Sequence, residues 1–566
     1  MNVKRMSYRR MKRSVVALAM GACFIMLSLT YCSDRTDWKP GSISNFEPAY
    51  YNKCRGNITD CDSNVLATTN VERRMTKKRK PINKNKYHRI YYVDAEYANV
   101  IGSIVNLQAR VKDKKTGEWK YYADTQGPEG GERAFSRWLL TGDDPSSSIG
   151  GSLQLTINSR IQKTAYMSVN YFSKKHHEKQ NANKDKSNKM DYCTKGAAVV
   201  MDIQTGALLA YADIPSVAYS DIAKVKYTDQ LVDYKDPYND KVLFRDGTLY
   251  DYCNALNTPG STFKLLSASV LCDVGVCNSK TMVRDPGVFE YNVSDNGKYS
   301  RKIYDHDRKK VTKNHKTVII PKDKGTISVK TGISDSLNVV FAQLAQKADR
   351  NEYRRIMHDT WHFNVGYRFE EDDPSYDDYS RIRTDFGGIR RPSLNVDNNQ
   401  LYFDTSYGLG EVLVSPIYTT MVTSAIASDS GDLLRPYMVK TYFNNQGREV
   451  SYEKASYGLK QSDVLTKNAV SEEAHHFITD AMKNHSVALK YNQMSKYKIG
   501  VKTGTAGLGL KSNISMTGFV EDKTGKPRYA ITVSMFEMRP DTLGGGSLAE
   551  GFYSIVDELT KLPEMK

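Results

Sequence analysis

A serine and a lysine stand three residues apart in Pro259-Gly260-Ser261-Thr262-Phe263-Lys264, and a serine and an asparagine two apart in Ser336-Leu337-Asn338. A third group follows in Lys502-Thr503-Gly504-Thr505. Together they supply a nucleophilic hydroxyl, an amine base one helical turn away, a second hydroxyl beside an amide, and a strand segment able to grip a carboxylate. That set suits acyl transfer through a serine ester.

Each motif alone occurs by chance in a chain this rich in lysine, so context has to separate them. Lys-Thr-Gly stands at Lys115, Lys330, Lys502 and Lys523. The copies at Lys115 and Lys523 lie in polar contexts that read as turns. Lys330 is six residues before Ser336, too close to form an opposing wall of one cleft. Lys502 follows the alternating segment Tyr497 to Val501, which predicts a strand, and small residues follow it. Ser294-Asp295-Asn296 is a formal rival to Ser336-Leu337-Asn338, but Asp-Asn-Gly predicts a turn. Ser336 instead leads into the apolar run Val339 to Ala345, a helix able to hold side chains rigidly. The plain reading of Ser261 is a helix N-cap after a Pro-Gly turn, and it can hold together with a nucleophilic one. A helix starting there puts Lys264 on the same face, ahead of the apolar run Leu265 to Leu271, where a lysine is an unusual residue to bury.

With these motifs placed, the chain resembles the penicillin-binding proteins, more narrowly the class B, monofunctional peptidoglycan transpeptidases. Arg55-Gly56-Asn57-Ile58-Thr59-Asp60 with Val65-Leu66-Ala67 is similar to a signature near the start of class B chains. Leu155-Thr156-Ile157-Asn158 with Gln162 resembles the start of the family's first helix, with Asn158 where Asp is usual. Gly196 to Asp202 with Thr205 to Ala210 resembles its first hairpin, and Gly408-Leu409-Gly410-Glu411 with Ser415-Pro416 a helix lead.

The resemblance implies an α/β (α+β) catalytic domain of the serine transpeptidase/β-lactamase type, an antiparallel sheet covered by helices. It implies Ser261 as nucleophile, Lys264 as its base, and Ser336 as proton carrier to a departing D-Ala amine. Asn338 would orient Lys264 and the substrate amide. Lys502, Thr503, Gly504 and Thr505 would form the substrate-binding strand, and the N–H groups of Ser261 and Thr505 the oxyanion hole. The substrates implied are peptidoglycan stem peptides ending in D-Ala-D-Ala, with β-lactam antibiotics as acylating drugs. Neither cofactor nor metal is expected; no Cys and His cluster has zinc-site spacing.

The same motifs serve a β-lactamase, a β-lactam sensor or a D,D-carboxypeptidase. A catalytically idle scaffold for a lipid-linked glycan polymerase is a rival from another class. Retention of all five of Ser261, Lys264, Ser336, Asn338 and Lys502 argues against it, although the resemblance implies that such a polymerase is a partner.

Composition and targeting set the compartment. Of the 566 residues 40% are hydrophobic, enough for well-formed cores, and the net charge is +17. Lys4, Arg5, Arg9, Arg10, Lys12 and Arg13 precede an apolar run over 14–31. The organisation expected is a cytoplasmic basic tail (1–13), a transmembrane anchor (14–31), a strand-rich pedestal (33–150) and a transpeptidase domain (151–566). The protein is then a single-pass protein of the cell inner (cytoplasmic) membrane with an extracytoplasmic catalytic domain. A cleaved signal peptide and a lipoprotein signal at Cys32 are the alternatives. Outside the membrane, disulfides are allowed; Cys54–Cys61, Cys272–Cys277 and Cys193–Cys253 form one of fifteen pairings of six cysteines. The basic stretch Arg73 to Arg89 reads as a solvated loop, and nucleic acid is not expected as a partner. Ser173 to Met190 reads as a polar insertion with His176 and His177 exposed, and Glu370 to Asn399 as another.

Overall fold

A computed structural model describes residues 54–72, 86–102, 107–112, 119–124, 131–181, 195–216, 234–235, 242–244, 251–293, 299–313, 316–365, 381–508, 511–538 and 543–566. The expected tail and anchor, Cys193, the Lys115 motif and the rival Ser294 motif lie outside them. Among the described residues no helix is long and apolar enough to cross a membrane.

Two compact units form. The larger takes in 156–215, 251–438 and 461–566. Its centre is an antiparallel sheet of strands β1 (Lys195–Asp202), β2 (Leu208–Ile214), β3 (Ile499–Leu508), β4 (Lys511–Glu521) and β5 (Pro527–Met538), in the order β3-β4-β5-β1-β2. Ala197 to Met201 have no exposed surface. Such a strand is covered on both faces and reads as a continuous apolar run, not an alternation.

Helix α1 (Ser159–Asn181) and the C-terminal helix (Ala549–Leu559) pack on one side of the sheet. Ile161, Ala165 and Val169 of α1 join Phe552, Ile555 and Val556 and the sheet's Val200, Ile531 and Val533 in one core. A helix over Pro416–Ala427 packs on β5 and β1. Its start is set by Ser415, whose hydroxyl accepts the Tyr418 N–H, and by Pro416 in the first turn. Asn158 caps α1 by accepting from Arg160 and Ile161 N–H, so the change from Asp to Asn keeps the cap. One turn on, Gln162 accepts the Tyr211 N–H at 2.8 Å and donates to Tyr211 C=O at 3.0 Å. Those two groups point outward from β2, an edge of the sheet, and Gln162 closes it there.

The smaller unit draws on residues up to Leu155, parts of 216–250, and 439–460. Strands Glu449–Val450, Val439–Phe443, Ser152–Leu155, Ile58–Thr59, Val65–Glu72 and Lys86–Tyr91 form one sheet in that order. Glu132, fully buried, lies between two arginines: Arg55 Nε donates to it at 2.9 Å and Arg89 Nε at 2.6 Å. Burial opposes ionisation of Glu132, yet the charges of Arg89 and Arg55 hold its pKa below the usual value.

Several expectations need correction. Arg89 is not part of a solvated loop but a member of this buried triad. Residues 173–181 are not an insertion but the last turns of α1. A nucleated helix propagates at low cost through Lys, Glu and Gln, and Lys175 ties this one to Glu550 at 2.7 Å. His176 is half-buried against the Phe172 ring, 4.3 Å between centroids. Residues 381–390 form a packed hairpin, with Ile382 and Ile389 buried beneath arginines that hide the alternation. Cys54, Cys61, Cys253, Cys272 and Cys277 are thiols. Cys54 Sγ faces the Arg55 and Thr69 carbonyls, away from the expected pairing with Cys61, whereas Cys272 and Cys277 have their sulfurs 3.2 Å apart.

Candidate active site

Ser261 lies in a 3-10 turn, Gly260–Phe263, which runs into helix α2 (Lys264–Asp273). The turn rests on strand β3. Gly260 has φ +60°, and a Cβ there would meet the Thr505 backbone at 2.8 Å. A Cβ on Gly504 would meet Pro259 O at 2.7 Å. Glycine at both places lets the nucleophile turn and the strand edge close on each other. Ser261 does not serve as an N-cap, because the turn has no side-chain cap and the hydroxyl is hydrogen-bonded to Lys264 instead.

Lys264 has no exposed surface. Its Nζ lies 2.7 Å from Asn338 Oδ1, 2.8 Å from the Ser336 C=O and 3.0 Å from Ser261 Oγ, with Ser336 Oγ at 3.4 Å; the two carbonyl oxygens take the N–H groups of a neutral amine and leave its lone pair for the Ser261 hydroxyl. Burial first, then the charge of Lys502, push its pKa well down, with Asp305 opposing. Such a shift favours the neutral amine over the ammonium.

Short helix α3 (Val329–Ser334) and helix α4 (Asn338–Lys347) hold the second motif between them. Ser336 adopts φ +60°, a left-handed conformation that costs a non-glycine residue about 1–2 kcal/mol. In that conformation both its carbonyl and its hydroxyl reach Lys264. Asn338 is fixed from behind: its Nδ2 donates to Tyr304 C=O at 3.1 Å, which leaves Oδ1 for Lys264.

Lys502, also without exposed surface, donates to Ser336 Oγ at 2.8 Å and to Thr503 C=O at 2.9 Å. Burial brings its pKa down to about 7. β3 is the sheet's other edge, so its outer backbone groups can pair with an extended peptide. All eight residues singled out in the sequence thus gather around one hydroxyl or on the strand beside it. The other described Lys-Thr-Gly copies do not: Lys330 is on α3 and pairs with Asp480, and Lys523 begins the turn between β4 and β5.

Two residues at the site carry no motif. Asp305 accepts the Val339 N–H at 3.1 Å at the start of α4 and opposes the downward shift of Lys264. His485 stands 3.0 Å from Thr503 Oγ1 through Nε2.

A serine hydroxyl beside one buried lysine, a second hydroxyl between that lysine and another, and the edge strand of an antiparallel sheet form a candidate serine acyl-transfer centre. Residues 196–557 match the penicillin-binding protein transpeptidase domain, and the chain belongs to that family. It is 22% identical over 433 residues to a peptidoglycan D,D-transpeptidase FtsI homolog of Mesostigma viride; the match covers 73% of this chain and 62% of that protein's length. The imipenem acyl-enzyme of penicillin-binding protein A from M. tuberculosis has the same fold, with TM-score 0.62, 19% identity, and 91% of this chain and 99% of that one covered. So does Pseudomonas aeruginosa PBP2 in complex with WCK 5153, with TM-score 0.60, 17% identity and coverage of 91% and 97%.

Proposed function

We propose that the protein is a monofunctional class B D,D-transpeptidase that cross-links peptidoglycan stem peptides and is acylated by β-lactams. The observation that carries this reading is Ser261 Oγ within 3.0 Å of a buried Lys264 that also bonds to Ser336 and Asn338.

In this reading neutral Lys264 takes the Ser261 proton as Oγ attacks the penultimate carbonyl of a D-Ala-D-Ala donor. The oxyanion forms between the N–H groups of Ser261 and Thr505, where losing one such donor costs about a hundredfold or more. The C–N bond then breaks, and the proton passes from Lys264 through Ser336 to the departing D-Ala amine. Lys502, Thr503 and Thr505 hold the terminal carboxylate. An acceptor amine attacks the ester, gives up a proton, and Ser261 leaves with its hydroxyl restored.

The N-terminal run 14–31 anchors the chain in the inner membrane in this account. Residues 33–150 serve as a pedestal that meets a lipid-linked glycan polymerase, and 151–566 carry catalysis. Support comes from the basic flank before the run and the strand-rich character of the smaller unit.

Labelling the full chain with a fluorescent penicillin tests the reading. A long-lived covalent band in wild type that is absent from Ser261→Ala is expected. Rapid loss of free penicillin without a lasting band would make the protein a β-lactamase. No band and no loss of drug in folded wild type would leave the scaffold.

A further inference from the structure

Two threonine hydroxyls on β3 are held in the same sense. Gly545 donates its N–H to Thr505 Oγ1 at 3.2 Å. A backbone N–H is only a donor, so Thr505 accepts there and its own proton is left for another partner. At Thr503 a histidine side chain stands in that place, with His485 Nε2 3.0 Å from Thr503 Oγ1.

Imidazole can donate or accept, and its other nitrogen decides which. His485 is the N-cap of the helix Ser486–Met494, and its Nδ1 accepts the Val487 N–H at 3.2 Å. A neutral ring that accepts at Nδ1 carries its proton on Nε2. The ring is neutral: burial, and then the charge of Lys502, hold its pKa down to about 3. Nε2 therefore donates to Thr503 Oγ1, and the Thr503 proton turns to the open side. The helix cap, the tautomer and the direction of the hydroxyl are one connected arrangement.

We propose that His485 is a positioning residue for substrate recognition, fixing the Thr503 hydroxyl, in concert with Thr505, as a donor to the carboxylate of the incoming peptide or β-lactam. This rests on the acyl-transfer reading above. A carboxylate only accepts hydrogen bonds, so a hydroxyl that presents a lone pair to it repels it. A freely rotating threonine has both orientations open; the His485 N–H removes the wrong one. Nothing in the spacing of the Lys-Thr-Gly-Thr motif reports this, because His485 lies seventeen residues before Lys502 on a separate helix.

Two substitutions divide the ring's two jobs. His485→Asn keeps an acceptor for the Val487 N–H but is too short to reach Thr503. His485→Gln places an amide N–H near the Nε2 position. Each is measured as the full chain for its second-order rate of acylation by benzylpenicillin and by benzylpenicillin methyl ester, which has no carboxylate charge. Wild type is expected to favour the acid. His485→Asn should lose about ten- to a hundredfold with the acid and little with the ester, so that the preference collapses. His485→Gln should retain the preference. Adding His485→Asn to Thr503→Val should bring no further loss. An Asn variant with the wild-type preference, or one slowed equally with acid and ester, would overturn the proposal. If the Asn variant does not fold, Thr503→Val decides: an undiminished preference there overturns it too. Wild type acylated without any preference also overturns it while leaving the acyl-transfer reading standing. Wild type that reacts with neither compound removes that reading itself.

Discussion

Two fully buried lysines meet at one serine hydroxyl, that of Ser336, with Lys502 at 2.8 Å and Lys264 at 3.4 Å. Buried amines are costly to charge, and the charge of Lys502 makes Lys264 costlier still. The consequence for Lys264 is a pKa well below the ordinary lysine value, which favours the neutral amine that a serine nucleophile needs beside it. For Lys502 the consequence is also a stability cost. Its pKa falls from 10.5 unfolded to about 7 folded. The unfolded chain therefore binds more protons between those values, and stability rises with pH across that window. The cost is fully present below about pH 7 and fades towards 10.5. Lys502→Met should raise stability at pH 7 by about 1–3 kcal/mol, after the lost hydrogen bonds to Ser336 and Thr503 are set against it. It should flatten the rise in stability above pH 7 and slow penicillin acylation by about a hundredfold or more. Denaturant unfolding at pH 7 and pH 9, beside acylation rates, checks this; a variant less stable than wild type at pH 7 would contradict the argument.

At the scale of elements, the edges of the sheet are treated in opposite ways. β3 keeps its outer edge available beside the nucleophile, whereas β2 is closed by the Gln162 amide on both polar groups of Tyr211. Gln162→Leu keeps the volume and leaves both Tyr211 groups buried without that partner, each at about 1–3 kcal/mol. A loss of about 2–5 kcal/mol in denaturant unfolding is expected, with the acylation rate of the folded fraction near wild type. A variant as stable as wild type would show that water replaces the amide. The same elements show what a sequence can disclose. Ser261, Lys264, Ser336, Asn338 and Lys502 were legible because short motifs carry their own context, a turn before a helix or a strand before small residues. Asp305 and His485 were not, because each acts through a partner distant in sequence and lies in no motif. The helical turns after Ser173 were masked by polar composition, although propagation from an already packed helix needs no apolar face. The basic neighbours of Arg89 suggest a solvated loop, whereas its structural partner, Glu132, stands 43 residues away.

For the whole molecule, the division into two units has a consequence that can be tested from inside the smaller one. The Arg55–Glu132–Arg89 triad lies wholly in that unit, and every candidate catalytic side chain in the other. Breaking a buried ion pair from one side leaves uncompensated charge, which costs about 3–5 kcal/mol. In Glu132→Gln both arginines keep their charge and lose their carboxylate, while the side-chain volume is unchanged. The smaller unit should then open at lower denaturant and become the first site of proteolysis, with penicillin acylation of Ser261 retained. The pH dependence has a definite sign. Glu132 is held below its unfolded pKa of 4.5, so its contribution is present above that pH and is lost as pH falls through the lower, folded value. Wild type should therefore lose the smaller unit selectively in acid, and Glu132→Gln should lack that part of the transition. Limited proteolysis across pH 3–7 with parallel penicillin labelling reads both units in one tube. Loss of labelling together with the smaller unit in Glu132→Gln would show that the larger unit depends on the other for its fold, and that the triad supports the site as well as the unit that holds it.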